Sequence, residues 1–221
     1  MCKILGITNA SRIDIVTATN IVGDIMLDQH DGFGTIVVNQ DKSVYIQKTT
    51  EKQYRFQFET GLDQYIKRDK TKNCVNGKLV EAVSIFWHGR TSTNSLGIQN
   101  CHPISVSNWH VIHNGVVSNR GADYTRLVQT DTEHIAYYMS QNGISDVEKH
   151  LSGYYAFVAI DPAGLIHIAK DDIAPLVVAW CDSIDSYIFA SNQNMIGTFC
   201  LKMGLTGGVV DDVIENSYLI L

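Results

Sequence analysis

Apolar residues recur along the chain with two different spacings. Short runs rich in Val, Ile and aromatic residues, bounded by Gly, Asn and Asp, are typical of β-strands. Such runs are CKILGIT, GFGTIVVN, SVYIQKT, EAVSIFWHG, WHVIHNG with VVSN, GYYAFVAID, LIHIAKD, PLVVAWC and YIFASN. GFGTIVVN and SVYIQKT, separated by QDK, predict a hairpin, and the last four runs predict a strand meander.

Between the predicted strands, apolar residues recur at the spacing of a helix. Ile15, Ala18, Val22, Ile25 and Met26 recur every three or four residues and predict a helix over residues 12–28. Further helices are predicted at 53–67, from 130 to about 141, at 145–151 and at 194–204. The helix from 130 begins with a Thr and a Glu at capping-box spacing. The order of elements predicts two antiparallel sheets, face to face, with helices packed outside them.

The length and composition predict one globular domain over residues 1–221. A single layered structure reaches 221 residues, and no linker divides this chain. The formal net charge of -6 argues against a nucleic-acid-binding surface, because such a surface needs excess Lys and Arg. No apolar stretch approaches the roughly 20 residues that span a bilayer, and no signal peptide is evident. We therefore expect a cytoplasmic protein without direct nucleic-acid or membrane contacts.

The cysteines and histidines do not indicate a metal site. The five cysteines, at positions 2, 74, 101, 181 and 200, are scattered without CxxC spacing, so reduced thiols are expected rather than disulfides or a zinc site. His110 and His113 lie in one predicted strand at an odd offset, which points them to opposite faces. We expect neither a metal nor a cofactor.

Cys2 lies directly behind Met1, at the start of the first predicted strand. If Met1 is removed, one residue carries both a thiol and an α-amino group, with ordinary pKa values near ~8.5 and ~8. The amine could then act as general base toward the thiol, directly or through a water. The alternative is a small apolar residue in a buried strand, since free cysteine is among the most buried types. Its position alone favours this alternative.

Three further segments favour Cys2 as a nucleophile over a buried strand residue. They are HGRTSTNSLGIQNCHPI at 88–104, HNGVVSN at 113–119 and TDTEHI at 130–135. Together with the N-terminal Met-Cys, they resemble the class II glutamine amidotransferases, which show Arg-x-x-Thr, Asn-x-His-Pro, His-Asn-Gly and Thr-Asp-Thr-Glu in this order. The resemblance extends to SGYYAFVAID, APLVVAW and FASNQNMI, so it covers most of the chain.

The resemblance implies a fold and a reaction. The fold is α+β, a four-layer α/β/β/α sandwich of two antiparallel sheets (N-terminal nucleophile hydrolase fold). Cys2 would attack the side-chain amide of glutamine, and the resulting γ-glutamyl thioester would be hydrolysed to glutamate after ammonia leaves. The side chain of Asn114 and the backbone N–H of Gly115 match the family's oxyanion hole. Without the other motifs, the Asn-Gly pair would predict a hairpin turn.

Four further positions match the family's substrate-binding residues. Arg90 matches the arginine whose fork can hold the α-carboxylate of glutamine in bidentate fashion. Asp131 matches the aspartate that accepts the α-ammonium, and Thr93 and His102 fall on other substrate-loop positions. Taken alone, Arg90 would be interpreted as a surface ion-pair partner and Asp131 as a helix-start residue stabilised by the helix dipole.

The chain departs from the family pattern beside Arg90. Many members read Arg-Trp-Ala-Thr-His where this sequence reads Arg-Thr-Ser-Thr-Asn at 90–94. This change leaves open a related amidohydrolase with the same nucleophile, acting on a γ-glutamyl or other amide. An unprocessed Met1 would block the amine and leave a non-catalytic binding or assembly protein on the same fold. Because the sequence shows no synthetase domain, we also expect a separately encoded, ammonia-accepting synthetase subunit as partner.

Overall fold

The computed structural model describes residues 2–8, 10–50, 74–75, 78–79, 82–92, 96–119, 130–145, 147–206, 208, 210–213 and 219–220. Its first seven strands are β1 (Lys3–Ile7), β2 (Gly32–Asn39), β3 (Val44–Thr49), β4 (Cys74–Val75), β5 (Lys78–Leu79), β6 (Ala82–Arg90) and β7 (Ile104–Val106). The others are β8 (Trp109–Asn119), β9 (Leu151–Ile160), β10 (Ile166–Lys170), β11 (Val177–Cys181), β12 (Ser186–Ala190), β13 (Val210–Asp212) and β14 (Leu219–Ile220).

The described helices are α1 (Ile15–Ile25), α2 (Thr132–Asn142), α3 (Val147–His150) and α4 (Gln193–Met203), with 3₁₀ turns at Ala10–Arg12 and Ile98–Asn100. They correspond to the predicted helices, except that the one predicted at 53–67 lies outside the described residues. None of the helices in this part of the chain is long and apolar enough to cross a bilayer.

Two antiparallel sheets form the centre of the molecule. The first has the strand order β13-β11-β12-β1-β6-β2-β3, and the second has the order β14-β10-β9-β8-β7. Strand β1 lies inside the first sheet, where Leu5 pairs with Ala190 of β12 on one side and with Trp87 of β6 on the other. Because Cys2 immediately precedes this inner strand, its position is fixed by neighbours on both sides.

Three apolar cores separate four layers. The core between helices and the first sheet includes Val22, Phe199, Leu5 and Trp87. The core between the two sheets includes Ile4, Phe86, Ile112 and Val158. The core between the second sheet and α2 includes Val111, Phe157, Ile135 and Met139. The predicted α+β class and the α/β/β/α layering are therefore confirmed.

Successive residues of the central strands face different cores. In β6, Phe86 packs between the sheets, whereas Trp87 packs against the helices. In β9, Val158 faces the other sheet and Phe157 faces α2. Side chains of a strand alternate between its two faces, and here both faces are buried. This is why these strands appear in the sequence as continuous apolar runs rather than as an apolar–polar alternation.

The predicted meander of the last four strands is wrong, because they belong to two sheets. Strands β9 and β10 pair in the second sheet, and β11 and β12 pair in the first. The connection between β10 and β11 therefore crosses from one sheet to the other. Asp171 holds this turn by accepting hydrogen bonds from the backbone N–H groups of Ile173 (3.1 Å) and Ala174 (2.7 Å). Hydrophobic periodicity indicates a strand but does not assign it to a sheet.

Helix α2 begins at Thr132, two residues after the predicted start at residue 130. The capping box predicted for this helix start is not formed. The Thr130 hydroxyl lies near the side chains of Asp131 (3.4 Å) and Thr132 (3.3 Å) instead of capping the helix. Asp131 occupies the N-cap position, but its side chain makes no capping hydrogen bond. Its carboxylate is therefore available to strand β8 and to the site beside it.

Candidate active site

One cavity of about 280 Å³ gathers most of the predicted site residues. Its lining includes the following predicted residues: Cys2, Arg90, His102, Asn114, Gly115 and Asp131. They come from the segment before β1, the end of β6, the loop before β7, the middle of β8 and the start of α2. Thr93 lies outside the described residues. The sandwich thus brings together side chains from both sheets and from an outer helix.

The Cys2 thiol is half-buried on the cavity wall. It donates a hydrogen bond to the backbone carbonyl of Thr91, with a sulfur–oxygen distance of 3.5 Å. Burial raises the pKa of this thiol, and the positive charge of Arg90 offsets the effect only in part. The thiol is therefore protonated at neutral pH and needs a base before it can act as a nucleophile.

Asn114 carries a buried side-chain amide. The residue is 1 % exposed, and neither its Nδ2 nor its Oδ1 has a hydrogen-bond partner in the part of the chain that the structure describes. An unpaired buried polar group costs about 1–3 kcal/mol, so such groups are rare in protein interiors. Because Asn114 lines the cavity, a ligand bound there could supply a hydrogen-bond partner for this amide.

Gly115 follows in β8 with a φ angle of 145°, a conformation that favours glycine. A Cβ atom here would lie 2.1 Å from the carbonyl oxygen of Tyr154 and 2.8 Å from Nε2 of His113. No side chain fits at this position. Because residue 115 is glycine, the backbone of β8 can border the cavity beside the Asn114 amide.

Two side chains of opposite charge, Arg90 and Asp131, line the cavity. The Arg90 side chain is 5 % exposed, and its Nη2 donates to the hydroxyl of Ser92 at 3.2 Å. The Asp131 carboxylate accepts a hydrogen bond from the backbone N–H of Val117, with an Oδ2–N distance of 2.7 Å. The site can therefore pair with a cationic and an anionic group of one small molecule.

Three buried histidines, His88, His102 and His113, lie at the cavity, and the last two are part of its lining. Nε2 of His102 and Nδ1 of His113 share the Thr132 hydroxyl, at 2.5 Å and 3.1 Å, and Nε2 of His88 donates to the carbonyl of His113 at 3.1 Å. Burial lowers the pKa of His88 to about 3, lowers that of His102 well below 6.5, and also lowers that of His113. The three rings are therefore neutral at pH 7 and add no cation beside Arg90.

Sequence reasoning did not assign roles to His88, His113 and Thr132. The available signal was their place in the motifs, since His113 adjoins Asn114 and Thr132 adjoins Asp131. Among the residues that the structure describes, no group of three or more His, Cys, Asp or Glu side chains could hold a metal ion. The histidines instead form hydrogen bonds with Thr132 and the backbone of β8.

Residues 94–198 match a family model described as a glutamine amidotransferase domain. This part, a little under half of the chain, is similar to glutamine amidotransferase domains. The match includes His102, Asn114, Gly115 and Asp131, while Cys2 and Arg90 precede it. No match was found among curated proteins.

Several solved structures share the fold of this chain, and two of them are described here. One is glutamine phosphoribosylpyrophosphate (PRPP) amidotransferase from B. subtilis complexed with ADP and GMP, with 19% identity, a TM-score of 0.65 and coverage of 99% of this chain and 47% of that one. The other is described as the allosteric regulatory enzyme of purine biosynthesis, with 18% identity, a TM-score of 0.65 and coverage of 99% and 46%. The chain spans about half the length of both. With the domain match, this fold confirms the predicted class II resemblance.

Proposed function

We propose that this domain hydrolyses the side-chain amide of glutamine. The observation that carries the proposal is the shared cavity, which joins the Cys2 thiol, the unpartnered Asn114 amide and the opposite charges of Arg90 and Asp131. Glutamine carries a carboxylate and an ammonium at one end and an amide at the other. Each of these groups thus has a complementary partner on the cavity wall.

In the proposed reaction, the Cys2 sulfur attacks the amide carbon and forms a carbon–sulfur bond. The carbonyl electron pair moves to oxygen, and the resulting oxyanion accepts hydrogen bonds from the Asn114 side chain and the Gly115 backbone N–H. The amide nitrogen takes up the proton that the thiol released and leaves as ammonia. Water then cleaves the thioester, which releases glutamate and restores the thiol.

The base for the thiol is proposed to be the α-amino group of Cys2, exposed by removal of Met1. Because burial raises the pKa of the thiol, a base is needed at neutral pH. A raised thiol pKa also means that a thiolate, once formed, is a strong nucleophile. The amine belongs to the same residue and requires no additional side chain.

Arg90 is proposed to hold the α-carboxylate and Asp131 the α-ammonium of glutamine. A guanidinium presents parallel N–H donors that match a carboxylate, a geometry that lysine cannot reproduce. His102 is proposed as a further substrate contact, because it lines the cavity with a buried Nδ1 that lacks a partner among the described residues. Thr93 stays a proposed substrate-loop residue on its motif alone.

We propose that an ammonia-accepting synthetase, as a separate subunit, consumes the product. Ammonia is mostly protonated at neutral pH, and the ammonium ion is no nucleophile, so transfer through a sheltered path would preserve its reactivity. The four described free cysteines, Cys2, Cys101, Cys181 and Cys200, are compatible with the reducing cytoplasm, where we place the reaction. Affinity capture from the native source should recover an ATP-using enzyme. Full ammonia release without such an enzyme bound would contradict the partner.

The deciding experiment combines intact-mass measurement with an electrophilic glutamine analogue. Native protein should lack Met1, release ammonia and glutamate in equal amounts and take up one adduct on Cys2. Cys2→Ala should neither release ammonia nor take up the adduct. Cys200→Ala, which changes a buried thiol of α4 outside the cavity, should behave as wild type. Retained Met1 with no adduct would favour the non-catalytic binding or assembly protein.

A second candidate is hydrolysis of another γ-glutamyl amide. The observation in its favour is Thr91, a small side chain that lines the cavity where many family members carry an aromatic residue. A smaller side chain leaves room for a substituent on the amide nitrogen. The values of kcat/KM for glutamine and for γ-glutamyl conjugates should be compared, and a preference for glutamine of about tenfold or more, equal to ~1.4 kcal/mol, would favour the glutaminase.

A further inference from the structure

The dipeptide Thr91–Ser92 contacts both the nucleophile and the arginine of the site. The Cys2 thiol donates to the carbonyl oxygen of Thr91 at 3.5 Å. Nη2 of Arg90 donates to the hydroxyl of Ser92 at 3.2 Å. Two groups that act on opposite ends of the proposed substrate therefore share one short support.

This dipeptide is held by the loop between α1 and β2. The Thr91 hydroxyl donates to Oε1 of Gln29 at 2.8 Å, and the Ser92 backbone N–H donates to Oδ2 of Asp31 at 2.7 Å. The backbone N–H of Asp31 donates in turn to the carbonyl of Arg90 at 3.1 Å. Gln29 is 3 % exposed, so its bond to Thr91 is shielded from water. The support is thus fixed through backbone and side-chain atoms.

The contact with Ser92 involves a terminal nitrogen of the long Arg90 side chain. An arginine holds a carboxylate in bidentate fashion only when its planar fork faces the ligand, and ordering a long side chain at binding costs affinity. The Ser92 hydroxyl accepts from one terminal nitrogen and so fixes the rotation of the guanidinium. Alanine, which many family members carry at this position, offers no such acceptor.

We propose that Ser92 is a positioning residue for the substrate carboxylate, acting through the Arg90 guanidinium, with Asp31 holding Ser92 in place. The inference rests on the proposed function, since it takes the α-carboxylate of glutamine as the ligand of Arg90. It assigns a role to the part of the chain that departs from the family pattern. The Ser92 hydroxyl orients the Arg90 guanidinium before the ligand binds.

The test is a comparison of Ser92→Ala with Ser92→Thr. Loss of the hydroxyl should raise KM for glutamine about tenfold, as for one hydrogen bond to a charged group, with kcat changed by less than about twofold. Ser92→Thr keeps a hydroxyl and should restore KM to within about twofold. Ser140→Ala is the matched control, because it removes a hydroxyl that donates to the Tyr137 carbonyl at 2.7 Å on α2. It should leave KM unchanged.

A second substrate separates positioning from general damage. Glutamine α-amide has no carboxylate charge, so Ser92→Ala should bind and hydrolyse it as the wild type does. An equal rise in KM for both substrates, or no rise for glutamine, would overturn the inference.

Calorimetric binding of both compounds to Cys2→Ala and to the double variant Cys2→Ala, Ser92→Ala gives the same comparison without turnover. Absence of glutamine binding overturns the inference, whereas binding without turnover in the wild type overturns only the proposed hydrolysis.

Discussion

The carboxylate of Asp131 accepts a hydrogen bond of 2.7 Å from the backbone N–H of Val117. This bond joins the start of α2 to strand β8, just beyond the Asn114–Gly115 pair. Because Oδ2 is held by the strand, the orientation of the carboxylate beside the cavity is set before a ligand binds. An amide oxygen could accept the same bond without carrying the charge.

Asp131→Asn should therefore separate the charge of this residue from its position. The variant keeps an acceptor for the Val117 N–H but loses its attraction for an ammonium group. We expect KM for glutamine to rise about 100-fold, equal to ~2.7 kcal/mol and within the range for a buried charge partner, with the melting temperature nearly unchanged. Asp24→Asn on α1 is the control. Unchanged KM in Asp131→Asn would leave only the helix-start role.

The Asn114 amide, which has no hydrogen-bond partner among the described residues, predicts a loss of activity without a loss of stability. Asn114→Ala should lower kcat about 10²–10³-fold, as for loss of one oxyanion donor. It should not lower the free energy of unfolding, because it removes a buried amide that costs about 1–3 kcal/mol when unpaired. Steady-state kinetics and urea unfolding measure the two effects.

Asn39 provides the matched control for this prediction. It is also buried, but its Nδ2 donates to the Ser43 hydroxyl at 2.9 Å in the β2–β3 hairpin. Asn39→Ala should lose about 1 kcal/mol of stability and keep its kcat. If Asn114→Ala instead unfolds more easily and retains kcat, the amide is structural.

Strands and motif residues could be predicted from the sequence, but contacts across the fold could not. The apolar runs located β1, β2, β6 and β8, and the motifs located Cys2, Arg90, Asn114 and Asp131, because both signals are local. The contact of Asp31 with the backbone N–H of Ser92 depends on the register of β2 against β6, in which Gly32 pairs with Arg90. That register is set by packing in two cores at once, which local periodicity does not report.

Cysteine alkylation should discriminate sharply between the described thiols. Burial raises the pKa of Cys2 and of Cys101, and raises that of Cys200 to about 11. Only Cys2 lines the cavity, whereas Cys101, Cys181 and Cys200 are buried. Iodoacetamide should therefore modify Cys2 before these three, as measured by peptide mass spectrometry.

The pH dependence of that reaction follows from the raised pKa of Cys2. The thiolate is the reactive form, and a raised pKa shifts its formation to higher pH. The rate of Cys2 modification should therefore still increase above pH ~8.5, the ordinary cysteine pKa. A plateau below that value would show that the thiol is ionised more easily than its surroundings predict. Cys200→Ala should give the same profile as wild type.

The buried histidines make the folded state sensitive to acid. Burial lowers the pKa of His88 to about 3 and that of His102 well below 6.5. In the unfolded chain these rings regain ordinary pKa values near ~6.5. Between pH ~6.5 and ~3 the unfolded state therefore binds protons that the native state does not, so the free energy of unfolding falls as the pH falls. Above pH ~6.5 these histidine rings are neutral in both the folded and the unfolded state, and they cause no loss in the free energy of unfolding.

His88→Gln tests this acid sensitivity. Glutamine can donate to the His113 carbonyl, as Nε2 of His88 does, but it does not titrate. Urea unfolding between about pH 7.5 and 4.5 should show a slope smaller by up to ~1.4 kcal/mol per pH unit in the variant. His30→Gln makes the same substitution at an exposed ring and serves as the control for the change of side chain. An equal slope in His88→Gln and wild type would mean that His88 takes up its proton within the folded state.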